Sequence, residues 1–146
     1  MIEAISGIIV AVVIIILSRL LSKHFTTKLF AATILIAIAF IYVGFSLKDN
    51  SVGLIILEVV VALIFYFLAV IGYTRNNLLL GFGIILHGLW DIFHHKGIFI
   101  STDIPGYWPS FCLIVDIIDG IYFLIIFKKG KNITVAYRKQ SLLRFL

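Results

Sequence analysis

The sequence predicts an all-α fold, a polytopic transmembrane bundle of five helices, and two observations predict it. Of the 146 residues, 62% are hydrophobic and only 13% are charged, whereas soluble domains run at about 45–50% and about 25%. That much apolar surface needs lipid beside it. A helix rising about 1.5 Å per residue crosses the hydrocarbon with about 20 apolar residues, and five stretches of that kind follow one another: Ile2–Leu21, Leu29–Leu47, Val52–Tyr73, Leu78–His95 and Tyr107–Phe127.

Each span is bounded by residues that favour water or turns over hydrocarbon. The first span holds the uninterrupted run "IIVAVVIIIL" and ends at "SKHFTTK". Its opening "MIEAISG" lacks the basic stretch and small-residue cleavage site of a signal peptide, so the helix is expected to be retained. The second span contains "LFAATILIAIAF" and ends at "KDNS"; the third ends at "TRNN". The fourth is the glycine-rich "LLLGFGIILHGLWDIFHH", and "KGIFISTDIPG" leads into the fifth. This organisation predicts a transmembrane domain over residues 1–127 and a basic cytoplasmic tail over 128–146.

Charge predicts the orientation. The end of the first span and the first break carry Arg19, Lys23 and Lys28, the third break Arg75, and the tail Lys128, Lys129, Lys131, Arg138, Lys139 and Arg144 with no acid. The second and fourth breaks have one lysine each, offset by Asp49 and Asp103. By the positive-inside rule the first and third breaks and the C-terminus face the cytoplasm, leaving the N-terminus outside. The tail interleaves its cations with Val135, Leu142, Leu143 and Phe145, a pattern that suits an anionic leaflet rather than nucleic acid. The expected setting is a multi-pass protein of a cytoplasmic membrane, with membrane lipid as partner. Cys112 is the sole cysteine, which excludes an internal disulfide and a cysteine-cluster metal site. The sequon at Asn132 falls on the cytoplasmic side of this topology and is not expected to be glycosylated.

Ionisable groups at membrane depth cost several kcal/mol unless they pair, face the bundle interior or line a wet cavity, so each is a functional candidate. The predicted spans contain Glu58, His87, Asp91, His94, His95, Asp116 and Asp119. On the expected topology His87 lies roughly 13 Å, Asp91 roughly 7 Å, Asp116 roughly 12 Å and Glu58 roughly 9 Å below the outer surface, with Asp119 one turn deeper than Asp116. Three helices distant in sequence deliver acids and imidazole to one slab. Asp91 is the hub, because His87, His94 and His95 lie four, three and four positions from it and share its helix face. Tyr42, Ser46, Glu3 and Ser6 reach compatible depths. Glycines at 81, 83, 88 and 120 permit close helix approach.

The chemistry that suits such a set is a divalent metal, zinc or iron, held by three or four imidazoles and carboxylates. The expected metal ligands are His87, Asp91, His94 and His95, and the expected catalytic acids are Glu58, Asp116 and Asp119. His87 and His94 stand two turns apart, so one ion would use Asp91 with one histidine set and not both. The function expected is a metal-dependent hydrolase or related enzyme acting on a lipid or other apolar substrate through an outer-leaflet polar cavity walled by helices three, four and five. Other roles compete residue by residue. His94 and His95 beside Lys96 suit the interface, Trp90, Tyr107 and Trp108 suit an aromatic belt, Glu58 suits a protonated hydrogen-bonding acid, and His87 with Asp116 suits a structural pair. A polar track is also how proton- or ion-coupled transporters and channel subunits are built. The cytoplasmic halves of helices one and two are apolar, however, so a conduit would need a homo-oligomer axis or a partner.

The stretches "YVGFSL", "HGLWDIFHH" and "YWPSFCLIVDIIDGIYF" resemble those of small bacterial integral-membrane proteins of unknown function. That resemblance covers nearly the whole chain and implies a multi-pass fold without implying an activity. The intramembrane mix of Ser, Asp and His is also similar to that of the alkaline ceramidase and adiponectin-receptor zinc amidohydrolases. Five spans rather than seven, and a last span without a His-x3-His pair, depart from that pattern. Membrane desaturases, with their di-iron sites, need about twice the four histidines present.

Overall fold

The computed structural model describes residues 2–48, 51–94, 100 and 104–143, the last thirteen as backbone. Its helices are α1 (Ile2–Leu21), α2 (Thr27–Ser46), α3 (Val52–Thr74), α4 (Leu78–Phe93) and α5 (Trp108–Leu143), and no strand occurs among the described residues. In water the β-branched run of α1 would be a mediocre helix former. In hydrocarbon, a helix is the one single-segment conformation that satisfies every backbone N–H and C=O internally. Four helices are long and apolar enough to cross a membrane: α1, α2, α3 and the Trp108–Gly130 part of α5. α4 is apolar but has 16 residues, about 24 Å against a hydrocarbon core of about 30 Å.

Local chemistry sets the ends. α2 starts at Thr27, two residues before the expected Leu29, because the Thr26 side chain caps it by accepting from the Leu29 N–H at 3.2 Å. α4 ends at Phe93, two residues before the expected His95, with His94 as its C-cap and the His94 N–H donating to the Asp91 carbonyl at 3.1 Å. α5 starts with Pro109 in its first turn, where a missing N–H does no harm. It then runs past the expected Phe127 to Leu143, since Gly130 alone weakens a helix by only about 1 kcal/mol.

Packing arranges these helices around α4, which has α5 on one side and α2 and α3 on the other; α1 lies on the far face of α5 and touches α2 slightly. α4 and α5 run antiparallel at very close approach. A Cβ on Gly81 would stand 2.9 Å from the Gly120 carbonyl oxygen, and one on Gly120 would stand 2.9 Å from the Gly81 carbonyl oxygen. α1 runs parallel to α5, with Gly7 at Phe111 and Ile114 and Arg19 over the Tyr122 ring. Gly7→Val is expected to lower stability by about 1–3 kcal/mol through overpacking, because a Cβ there would already lie 3.1 Å from the Phe111 carbonyl oxygen. Thermal scans in detergent check it.

Three helices contribute core stripes that change character along their length. α2 buries Ala31, Leu35, Ala39, Tyr42 and Ser46; α3 buries Glu58, Ala62, Phe65, Ala69 and Gly72; α4 buries Leu80, Ile84, His87 and Asp91. Spacings of three and four keep each set on one face. α5 adds Asp116, Asp119, Phe123 and Phe127 to the buried set. At one end of the bundle the stripes meet as Ala31, Leu35, Ala69, Leu80, Phe123 and Phe127. At the other end they become polar. Arg19, over Tyr122, and Lys28, 4.5 Å over the Tyr73 ring, mark the apolar-core end as the basic one. Much of the outer surface is Ile, Val, Leu and Phe, which only lipid or another apolar partner can cover.

Candidate metal centre

Asp116 reaches the centre because Gly88 lets it. A Cβ on Gly88 would sit 2.9 Å from the Asp116 Cβ, so the absent side chain on α4 is what admits the carboxylate of α5. Asp116 Oδ2 then accepts a hydrogen bond from His87 Nδ1–H at 2.7 Å. Asp91, one turn along α4, places Oδ1 4.0 Å from the same nitrogen. On its other side Asp91 Oδ1 accepts the Tyr42 hydroxyl at 2.7 Å, which ties α2 to α4. The Phe65 ring meets the His87 ring edge-on at 5.2 Å.

Ligand atoms of His87, Asp91 and Asp116 lie within 4.8 Å of one another. Ligands at about 2.0–2.2 Å from a common ion stand no more than about 4.4 Å apart, so small side-chain rotations bring this set into coordination range. Around an ion, one imidazole and two carboxylates would leave coordination positions open. Donors of this mixed kind suit zinc, iron(II) and manganese. His87 Nε2 and Asp91 Oδ2 are buried without a hydrogen-bond partner among the described residues, which is where additional ligation would be satisfied.

Charge makes the same point. The buried ionisable groups are Glu58, Asp91, Asp116 and Asp119 with His87 and His94, and no lysine or arginine is buried with them among the described residues. Even with both imidazoles protonated, four ionised carboxylates leave two negative charges uncompensated. Taking unpaired charge out of water costs several kcal/mol per ion, a cost that a bound divalent cation would offset.

The other expected residues are not part of this triad among the described residues. Glu58 pairs with His94 instead, Oε1 to Nε2 at 2.8 Å, and His94 Nδ1–H donates to the Trp90 carbonyl at 3.3 Å. Since one histidine nitrogen faces a carbonyl and the other an acid, His94 offers no free lone pair to an ion in this arrangement. Asp119 is 1% exposed, with neither oxygen hydrogen-bonded. His95 lies outside the described residues. Tyr42 joins this site through its bond to Asp91, and sequence reasoning reached it only as a group at compatible depth; its position three residues beyond Ala39 on the buried α2 stripe is what marks it.

Residues 2–130 match the profile of a protein family described as a family of unknown function (DUF6010). The chain belongs to this family. No curated protein and no solved structure matches it. The family description names no activity and gives neither support nor contradiction to the ceramidase-like resemblance. For this DUF6010 member the buried acids and imidazoles are therefore the guide to chemistry.

Proposed function

We propose that the protein is a metal-dependent membrane hydrolase, with a divalent ion, zinc or iron, held by His87, Asp91 and Asp116. One observation carries this reading: a histidine and two aspartates from two helices place ligand atoms within 4.8 Å of one another in a buried interior. Held there, an ion would supply Lewis acidity, lowering the pKa of a bound water and polarising a carbonyl. Hydrolysis then adds water to an acyl carbon, breaks the bond to the leaving oxygen or nitrogen, and ends with a proton on that leaving atom. Asp119, with both oxygens free of hydrogen bonds, is assigned the proton released by the water. The Glu58–His94 pair is assigned the proton delivered to the leaving group, because its Nε2 and Oε1 are hydrogen-bonded at 2.8 Å. The substrate class is lipid-derived or otherwise apolar, entering from the surrounding hydrocarbon. The positive-inside rule supports a basic end at the cytoplasm of a bacterial-type cell membrane, with the proposed metal centre towards the outer leaflet.

A proton- or ion-coupled transport element is the second reading, favoured by the run of polar side chains from Glu58 through His94, Tyr42, Asp91 and His87 to Asp116. Against it, His94 and Tyr42 meet by ring stacking at 4.0 Å, with no hydrogen bond between them among those found. The basic end of the core is also packed with Ala, Leu and Phe. Elemental analysis of protein purified in detergent tests the first reading. Wild type is expected to hold about one divalent ion per chain, with His87→Ala and Asp91→Asn retaining under about a tenth of it. Metal-free wild type together with pH-dependent ion flux in liposomes would transfer the assignment to transport.

A further inference from the structure

We infer that Tyr42 is a positioning residue that fixes which oxygen of Asp91 faces the ion, and that the Glu58–His94 pair is the brace that holds Tyr42 in place. The inference rests on the metal reading above and assigns a function to groups outside the triad. Tyr42 is 1% exposed and its hydroxyl donates to Asp91 Oδ1 at 2.7 Å. Asp91 Oδ2, buried and without a partner, is thereby left as the oxygen for coordination. Ligand carboxylates are commonly oriented in this way by a hydrogen bond to the non-coordinating oxygen.

A phenol does this only if its ring cannot turn. The Tyr42 ring stacks on the His94 ring at 4.0 Å and 24°, and both nitrogens of His94 are engaged, by Glu58 from α3 and by the Trp90 carbonyl of α4. α3 contributes nothing to the triad, yet it carries the acid that sets the His94 ring plane. The chain of contacts therefore runs from α3 to α4 to α2 and back to Asp91 on α4. Since His94 acts on Asp91 through Tyr42, removing both residues should do no more damage than removing Tyr42.

Metal affinity, measured by competition with a chelator for zinc or iron(II) in detergent, tests the inference. Tyr42→Phe, which keeps the ring and the stack, is expected to weaken binding by about 10–100-fold while the metal-free protein stays folded and monodisperse, with only the modest fall in melting temperature that the loss of one buried hydrogen bond brings. His94→Ala is expected to weaken it by a smaller factor, and the double variant to match Tyr42→Phe alone, as coupled residues do. Wild type that binds metal with Tyr42→Phe within twofold of it overturns the inference, and so does a double variant whose loss is the product of the two single losses. Wild type that binds neither metal overturns the metal reading itself.

Discussion

Gly120→Val is expected to separate α4 from α5 and to abolish most of the folded, monodisperse protein recovered in detergent. A Cβ at Gly120 would lie 2.5 Å from Ile85 Cγ1, 2.9 Å from the Gly81 carbonyl oxygen and 3.1 Å from the Ile85 nitrogen. Two of those three atoms are backbone, so they move only if the whole helix moves. Overpacking commonly costs about 1–3 kcal/mol and more where relief is blocked, against a total stability of about 5–15 kcal/mol in proteins generally. A displaced α4 also draws His87 away from Asp116, whose 2.7 Å contact depends on the same approach. Gly44→Val is the control, because a Cβ there meets nothing within 4 Å. Recovery by size exclusion and the thermal midpoint should fall sharply for the first variant and stay near wild type for the second. Equal behaviour of the two would mean that the helices do not cross this closely.

Asp116→Asn is expected to weaken divalent-metal binding more than about 100-fold, beyond the about 10–100-fold typical of outer-shell changes, while the bundle stays folded. Asparagine keeps an oxygen able to accept from His87 Nδ1–H, so the interhelical hydrogen bond survives and only the charge is lost. Asp116→Leu removes both. It leaves a buried imidazole unpartnered, and breaking a buried pair in this way costs about 3–5 kcal/mol. The contrast between the two variants in chelator competition and thermal scans separates a ligand from a structural partner. Asparagine at position 116 with wild-type metal affinity would remove Asp116 from the ligand set.

Hydrocarbon makes spans easy to read, because a long apolar run has few other places to go. All five helices were therefore legible, with errors confined to ends decided by single groups: the Thr26 cap on α2, the His94 cap on α4, and the absence of a stop signal in α5. The convergence of Asp91, His87 and Asp116 was legible as depth, since rise per residue converts position into height. Rotation about the helix axis was not. Depth alone places Glu58 level with the triad, yet it pairs with His94, because the buried face of α3 presents it there. Gly81, Gly88 and Gly120 carried that missing angle in part: they mark the face on which α4 and α5 meet, and so which carboxylate His87 would find.

The close crossing of α4 and α5 also bears on how the protein is made. α4 is too short to be a comfortable autonomous insert, and its buried face holds His87 and Asp91. α5 leaves the ribosome after it and adds to the cover given by α2 and α3 the carboxylate of Asp116. Until then His87, already met by Phe65 of α3, lacks the carboxylate that accepts its Nδ1–H. Biosynthesis is thus finished, in the physical sense, only when α5 has docked.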